Sequence, residues 1–380
     1  MNWQLRTRAA GLNVVIPLVA VALALVSVAL LLVVAGSNPF DAYRDMWNAA
    51  LGDRFALSTT VTKTMPRLLA ALGIALALRA GLWNIGAEGQ LYIGALATTA
   101  VALHLPDLGT PLLIATSLGA GTLAGAGWAL IPGVLRAKRG VSEVITSLML
   151  VYIGIQLTNY VLEGPWSEPG STFPSSPYVP TGASLPIIVS GTLLNAGALV
   201  GLALVVLAWF LMSRSTFGLR LNAIGGNERA AGVAGVRVPL LIVLAMTASG
   251  AFAGLAGGLE VLGVRGRLVE GFSPGYGFEA IAIALLGRLN AFGILGAALL
   301  FGALDAGSAG LQTAAQGVPA SISQVAEGLA VTYVLIGLGL ASILQRRRSA
   351  RAALKEATHQ PAAGEPDVLP VMPTESGREL

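Results

Sequence analysis

The chain has 380 residues, of which 55% are hydrophobic and only 11% are charged, and its mean hydropathy is +0.75. Soluble domains carry roughly 25% charged residues, so this composition excludes an ordinary soluble enzyme. Disorder is excluded as well, because disordered chains have low hydrophobicity and high net charge. The composition therefore predicts an integral membrane protein with several spans.

Charge and reactive side chains exclude further classes of protein. The net charge is +4, but the basic residues are scattered between apolar runs, where they indicate membrane orientation rather than nucleic-acid binding. The chain has no cysteine, which excludes disulfides and thiolate metal sites. Of its two histidines, His104 lies at a predicted helix end and His359 in the polar tail, so we do not expect a histidine metal site.

Apolar runs of about 20 residues predict transmembrane helices. Arg6 and Arg8 precede the first run, which is too long for a cleaved signal peptide. Glycine and proline interrupt the pattern at 80–95 and 264–295. We expect an all-α polytopic membrane protein with about ten spans, near residues 14–34, 57–79, 85–105, 111–135, 141–162, 191–213, 238–263, 276–290, 291–309 and 321–344.

Basic residues predict the orientation of these spans. They are concentrated at 136–139, within 214–237 and after residue 345, which we expect in the cytoplasm together with both termini. Arg265 and Arg267 are the main exceptions. The predicted domains are a cytoplasmic N-terminus (1–13), a membrane domain (14–345) and a flexible cytoplasmic tail (346–380). The predicted external loops are 37–56, 106–110, 163–190, 264–275 and 310–320.

Two interrupted stretches, 79–90 and 270–277, lie about half a chain apart, and each precedes an apolar helix rich in small residues. Residues 140–144 and 317–321 form a weaker pair. Because transporters often contain interrupted helices at matching positions of two related halves, we predict two pseudo-symmetric inverted halves.

The first polar constellation is LWNIGAEGQLYIGA, residues 82–95, which places Asn84, Glu88 and Gln90 inside apolar sequence. A carboxylate within a membrane is a functional candidate. If this stretch is helical, Asn84 and Glu88 share a face. It either lines a translocation path, or its glycines permit close packing while Glu88 caps a neighbouring helix.

The second constellation, VSEVITS at 141–147, follows a basic loop. Ser142 is a candidate N-cap, and Glu143 is favourably placed in the first turn of a helix. The alternative is that Glu143 belongs to a polar lining at the cytoplasmic mouth of a path.

The third constellation is the predicted cytoplasmic loop at 215–238. Asn227 precedes Glu228-Arg229-Ala230-Ala231, which is the pattern of a helix start. We expect a short helix that docks into a cytoplasmic partner, with a purely structural loop helix as the alternative.

The fourth constellation is GFSPGYGFEAIAIALLGRLNAFG at 271–293. Glu279 and Arg288 are nine positions apart, too far for a bridge on one helix, so Glu279 needs a partner from elsewhere. Arg288 fits a cytoplasmic helix end. Phe272 and Tyr276 fit either stacking on a ring or an interfacial aromatic belt.

Other patterns predict packing rather than chemistry. The glycines between Gly119 and Gly127 are typical of helix contact faces. No Ser/His/Asp set, paired carboxylates or metal cluster stands out, and GxxxxGK[ST] does not occur. We therefore do not expect an enzyme, and any ATPase that drives this protein must be another chain.

Four stretches carry a resemblance to a known family: GLWNIGAEGQLYIGA, GVSEVITSLMLVYIG, FGLRLNAIGGNERAAGVAGV and FEAIAIALLGRLNAFG. Together they resemble the permease subunit of bacterial ABC importers of the branched-chain amino acid, ribose and nucleoside type. The form NIGAEGQ is most similar to the nucleoside and simple-sugar permeases. The resemblance covers roughly residues 10–345.

The resemblance implies an importer of a nucleoside or simple sugar in the bacterial cytoplasmic membrane, working by alternating access. It implies a second permease subunit, cytoplasmic ATP-binding subunits that hold ATP and Mg²⁺, and an extracytoplasmic substrate-binding lipoprotein; this chain itself binds no cofactor. The implied ATPase-coupling residues are Gly225, Gly226, Asn227, Glu228, Arg229, Ala230, Ala231 and Gly232. Together with the residue analysis it gives as substrate-pathway candidates Asn84, Glu88, Gln90, Glu143, Tyr276 and Glu279.

Three alternatives remain at this stage. Branched-chain amino acids are the main competing solutes within the importer class. An ion-coupled secondary transporter would use Glu88 and Glu279 as ion sites. A membrane scaffold without transport activity is the third possibility.

Overall fold

The computed structural model describes residues 25–34, 36–168, 170–171 and 173–313, with a few single positions at 19–23 and 325–340. Within these ranges helices are joined by turns and loops, and the only strand-like pairings are two isolated antiparallel bridges that join Ser175 to Val269 and Ile187 to Asn195. The helices are α1 (Leu25–Val34), α2 (Pro39–Leu51), α3 (Arg54–Arg79), α4 (Ala87–His104), α5 (Thr110–Arg139), α6 (Glu143–Glu163), α7 (Gly197–Ser213), α8 (Thr216–Gly226), α9 (Glu228–Val233), α10 (Val238–Glu260), α11 (Tyr276–Leu286) and α12 (Ala291–Thr313).

Five helices in the described ranges are long and apolar enough to cross a membrane: α3, α5, α6, α10 with the π-helical turn Val261–Arg265, and α12. A sixth span is formed if α7 and α8, which meet at a bend of 62°, count as one. The chain is thus a polytopic helical membrane protein. Of the predicted span 14–34, the structure describes α1 (Leu25–Val34) and three single positions, whereas the predicted span 321–344 falls mostly outside the described residues.

The structure corrects two of the predicted segments. The span expected at 276–290 is wrong, because α11 has 11 residues and reaches only about 16 Å. The segment expected as an external loop at 37–56 contains α2, whose first turn is capped by the side chain of Asn38. Glycines bound both helices: Gly275, with φ 111°, precedes α11 and Gly287 follows it, and Gly52 follows α2.

Glycines hold α4, α5 and α10 in close contact. A Cβ on Gly254 would lie 2.3 Å from the carbonyl oxygen of Gly121, and one on Gly250 would lie 2.3 Å from that of Gly125. These distances leave no room for any side chain, so backbone packs directly on backbone. The predicted contact face is therefore confirmed for Gly121 and Gly125, whereas Gly119 and Gly127 face open space.

Helix α3 is the centre of the molecule, since every residue from 66 to 77 is buried. It packs against α7, α10, α11 and α12. The ends of α3 and α8 touch: a Cβ on Gly225 would lie 2.2 Å from the carbonyl oxygen of Arg79. We call this side of the protein, which carries α8 and α9, the α9 end.

The opposite side, which we call the loop end, is formed by residues 163–190 and 264–275. Ser176 donates its backbone N–H to Leu268, and Val179 donates to Gly266, both at 2.8 Å. The sequence places these two segments on the same side of the membrane, and the structure brings them into contact.

Candidate solute pathway and coupling surface

The polar motif before α4 forms a closed hydrogen-bond network. Asn84 donates to Gln90 and to the hydroxyl of Ser249, both at 2.8 Å, and Gln90 donates back to Asn84 at 2.9 Å. Asn84 and Gln90 are each only 1% exposed. Residues 80–86 are not helical, so the condition under which Asn84 and Glu88 would share a helix face is not met. The amides satisfy one another in the interior, as buried polar groups require.

Glu88 lies where the starts of α4 and α11 meet. Its carboxylate accepts the backbone N–H of Gly277 at 2.6 Å, and Ser273 accepts that of Tyr276 at 3.1 Å. A carboxylate at a helix N-terminus is stabilised by the positive end of the helix dipole. Glu88 therefore caps a neighbouring helix, as the packing interpretation predicts. The close approach expected of the motif's glycines is also present: a Cβ on Gly89 would lie 2.7 Å from the Cα of Val151.

The two aromatic candidates of the fourth motif are enclosed. Tyr276 is 5% exposed, and the guanidinium of Arg67 lies 4.5 Å from its ring centroid. Phe272 is fully buried, with its ring centroid 4.6 Å from that of Tyr92. Neither residue belongs to an interfacial belt, so that alternative is wrong for both.

Glu279 belongs to a group of four charged side chains, Lys63, Arg67, Glu279 and Asp305, which we call the ionic cluster. Arg67 contacts Glu279 at 2.5 Å and Asp305 at 2.8 Å, and Lys63 contacts Asp305 at 2.7 Å. Each charge has an opposite partner, which a low-dielectric interior requires. The expectation that Glu279 finds its partner outside its own helix is confirmed. Arg288, exposed just after Gly287, marks a helix end.

Sequence reasoning missed three members of this cluster. Lys63 and Arg67 lie within the predicted span 57–79, and Asp305 lies within the predicted span 291–309. The available signal was simple, since any ionisable residue inside an apolar run is a functional candidate by default. Only Glu88 and Glu279 were selected by that rule.

Arg265 and Arg267, the basic residues that the orientation rule does not expect in an external loop, have local partners. Arg265 contacts the buried carboxylate of Glu260 at 3.0 Å and donates to the carbonyl oxygen of Phe272 at 2.6 Å. The guanidinium of Arg267 lies 4.6 Å from the ring centroid of Tyr178. Their presence in this segment therefore reflects packing at the loop end.

Glu143 connects three elements near the α9 end. Its carboxylate accepts the backbone N–H of Trp83 at 3.4 Å and contacts Arg136, the last-turn arginine of α5, at 3.5 Å. Arg136 also reaches Glu228 of α9 at 3.4 Å. Ser142 stands at the N-cap of α6, but its side chain makes no capping bond. One arginine thus links α9, the start of α6 and the break before α4.

The predicted short helix is present as α9. Asn227 starts it, because its side chain accepts the backbone N–H of Ala230 at 3.0 Å. Ala231 is buried and anchors α9, and beside it lies an open depression of about 520 Å³ bordered by Val238 and Pro239. The other predicted coupling residues are exposed: Gly225, Gly226, Asn227, Glu228, Arg229, Ala230 and Gly232.

These features define a class of protein. Several spans, two helices that begin at one interior point, and an exposed short helix at one end are typical of membrane transporters. The comparisons make the class specific. Residues 56–344 match the family described as branched-chain amino acid transport system / permease component. Since the match covers most of the chain, the protein belongs to this family.

Individual relatives indicate which branch of the family the chain resembles. The chain is 37% identical over 343 residues to the glucose ABC transporter permease protein TsgB13 of Haloferax volcanii, covering 87% of this chain and 89% of the relative. It is 34% identical over 334 residues to the guanosine ABC transporter permease protein NupP of Bacillus subtilis, covering 85% and 93%. A third relative is the nucleoside ABC transporter permease protein NupB of Lactococcus lactis, 30% identical over 350 residues, covering 90% and 96%.

The resemblance seen in the motifs is thereby confirmed. The chain is the permease subunit of an ABC transporter, and the ATP-hydrolysing site lies on a separate subunit. Family membership implies that an ATP-binding subunit and a substrate-binding protein work with it. It favours ATP-driven transport over the ion-coupled and scaffold alternatives.

Proposed function

We propose that this permease subunit carries a nucleoside or a simple sugar into the cell by alternating access. The observation that carries the proposal is the similarity along most of the chain to permeases named for glucose, guanosine and nucleosides. The four charges of the ionic cluster compensate one another, which suits an uncharged polar solute. A branched-chain amino acid would favour separate sites for its ammonium and carboxylate groups.

We propose that α9 is the coupling helix that docks on the ATP-binding subunit. Its polar residues are exposed, while Ala231 fixes it to the body of the protein. Two contacts would carry its displacement inward: Arg136 bridges Glu228 to α6, and Gly225 lies against the end of α3. ATP and Mg²⁺ would be held by the partner, with no cofactor on this chain.

Among the pathway candidates, the geometry supports two kinds of role. Asn84, Gln90 and Tyr276 have internal partners, and we propose that they shape the wall of the path without touching solute. Glu88 would join the two interior helix starts so that they move together, whereas Glu143 would belong to the mouth at the α9 end. Glu279 is the candidate whose carboxylate is partly exposed.

The remaining architecture is also a proposal. We place the protein in a bacterial cytoplasmic membrane, with the α9 end and both termini in the cytoplasm, because basic residues cluster at that end and in both terminal segments. We propose that the spans are arranged in two inverted halves, supported by the meeting of α4 and α11 at their N-terminal ends. A second permease subunit and a substrate-binding lipoprotein would complete the importer.

The test is uptake by the reconstituted complex. The chain is purified with its partner subunits, placed in proteoliposomes and supplied with radiolabelled guanosine, glucose or leucine, with and without ATP. We expect ATP-dependent uptake of guanosine or glucose and none of leucine, with complete inhibition by vanadate and no effect of an uncoupler. ATP-dependent accumulation of leucine alone would contradict the proposed solute.

A further inference from the structure

The ionic cluster has an exposed edge that includes Lys63 and Asp305 of the spanning helices α3 and α12. Arg67 is 1% exposed, but the side chains of Lys63, Glu279 and Asp305 are 30%, 17% and 18% exposed. Lys63 lies well inside the 26-residue α3, and Asp305 lies well inside the 23-residue α12. This edge therefore lies within both spans, nearer the start of α3 and the end of α12 than their other ends.

Hydrocarbon is an unsuitable neighbour for this edge. Charged side chains within a membrane face the bundle interior or a water-filled cavity, because exposure to lipid leaves them without hydration. Lys63 does not reach an interface from this position as a terminal lysine would, since its ammonium is held by Asp305 at 2.7 Å. The edge must therefore be covered by water or by protein.

The charge balance of the cluster favours water and solute as the neighbour. Two cations and two carboxylates already compensate one another, so a covering subunit would have no charge left to match. Such a cluster holds neither an anion nor a cation firmly. Its exposed atoms still offer ammonium donors and carboxylate acceptors, which are the groups that bind hydroxyls and neutral amides.

The polar motif at 82–95, unlike the cluster, has no exposed side-chain amide to offer a solute. Asn84, Gln90 and Ser249 use their polar atoms on one another and are fully enclosed. A passing solute therefore meets the edge of the ionic cluster before it meets these amides.

We propose that the water-filled path of the solute runs along the face of α3, α11 and α12 that carries Lys63, Glu279 and Asp305. These three side chains form hydrogen bonds with a neutral, hydroxyl-rich solute, while Arg67 holds them in position from behind. The inference rests on the proposed function and assigns the path to one face of this subunit.

The experiment uses the absence of cysteine from the natural chain. Lys63→Cys is introduced in the complete importer in proteoliposomes, and its modification by a charged, membrane-impermeant methanethiosulfonate is timed without nucleotide and after trapping with vanadate. The matched control is Leu202→Cys on α7, whose side chain is 52% exposed. Both sites lie at a similar depth, because Gly201 packs against Met65.

We expect Lys63→Cys to react at least about tenfold faster than Leu202→Cys in one of the two states, because the reactive thiolate forms poorly in hydrocarbon. Adding the solute identified by the uptake assay, guanosine or glucose, should slow that reaction. Thr59→Cys, one turn away on the same face, leaves the cluster intact and serves if Lys63→Cys fails to assemble.

Equal, slow modification of Lys63→Cys and Leu202→Cys in both states, in an assembled complex that hydrolyses ATP, would overturn the assignment of the path. The same result for Thr59→Cys would overturn it if that variant is the one that assembles. Failure of the unmodified complex to transport either solute would instead contradict the proposed function.

Discussion

The two groups of charges in this protein, one at the α9 end and one in the interior, differ in how tightly they are held. Arg136 at the α9 end is 32% exposed and contacts Glu143 and Glu228 at 3.5 and 3.4 Å. Arg67 in the interior is 1% exposed and contacts Glu279 and Asp305 at 2.5 and 2.8 Å. Both arginines bridge two carboxylates, so the difference comes from their surroundings.

Access to water explains the difference. Near a surface, water competes with each ion pair, so forming or breaking a pair changes the free energy of the protein only slightly. At the enclosed guanidinium of Arg67 no water replaces a lost partner, so Arg67 stays fixed to its two carboxylates. The α9 end can therefore change its contacts as a moving partner requires, whereas the ionic cluster acts as a rigid element.

The largest expected effect follows from removing the central cation of the interior group. Arg67→Ala removes the enclosed guanidinium and leaves the largely buried side chain of Glu279 without a cation, and breaking a buried pair costs about 3–5 kcal/mol. We expect severe loss of folded protein, measured as the monodisperse fraction in detergent and its midpoint of thermal unfolding. Arg67→Lys is the control and should recover part of the loss, because one positive charge remains. Normal stability of Arg67→Ala would show that Arg67 does not hold the cluster rigid.

An intermediate effect is expected at the contact between α4 and α11. Glu88→Ala removes the acceptor for the backbone N–H of Gly277, and loss of such a cap costs about 1–2 kcal/mol. We expect assembly with lowered thermal stability and impaired uptake. Glu88→Gln keeps an acceptor oxygen and should lie between Glu88→Ala and the natural protein. Equal behaviour of the two variants would mean that the charge, and not the cap, is what matters.

The smallest effect on stability is expected at the α9 end. Arg136→Gln removes two long contacts at a partly exposed site, which are worth about 0–1 kcal/mol. We expect an unchanged midpoint of unfolding, together with fewer solute molecules transported per ATP hydrolysed. A loss of stability as large as that of Arg67→Ala would remove the contrast between the two groups.

Local patterns in the sequence were sufficient for elements whose cause is local. Asn227 marks the start of α9 because an N-cap acts on the next three residues. Gly121 and Gly125 mark a packing face because small residues at helical spacing allow close approach. The length of α11 was misjudged, because an apolar run shows no difference between a full span and a helix that begins inside the protein.

The candidate site depended on contacts that no local pattern contains. Arg67 and Glu279 are 212 positions apart, and Lys63 and Asp305 are 242 positions apart. Sequence reasoning identified Glu279 as needing a distant partner, but the identity of that partner is fixed only by the packing of α3 against α11 and α12. In the same way, the enclosure of Asn84 and Gln90 is a property of the fold, since their sequence motif is equally compatible with an open path.

The most direct test of the account measures both ATP hydrolysis and solute uptake in the same proteoliposomes. Glu228→Ala with Arg229→Ala changes two exposed residues of α9, and deletion of 226–232 removes most of that helix. We predict that the double variant hydrolyses ATP while uptake falls sharply, and that the deletion also weakens co-purification with the ATP-binding subunit. Normal uptake per ATP and normal co-purification after the deletion would contradict the claim that the driving force enters this protein through α9.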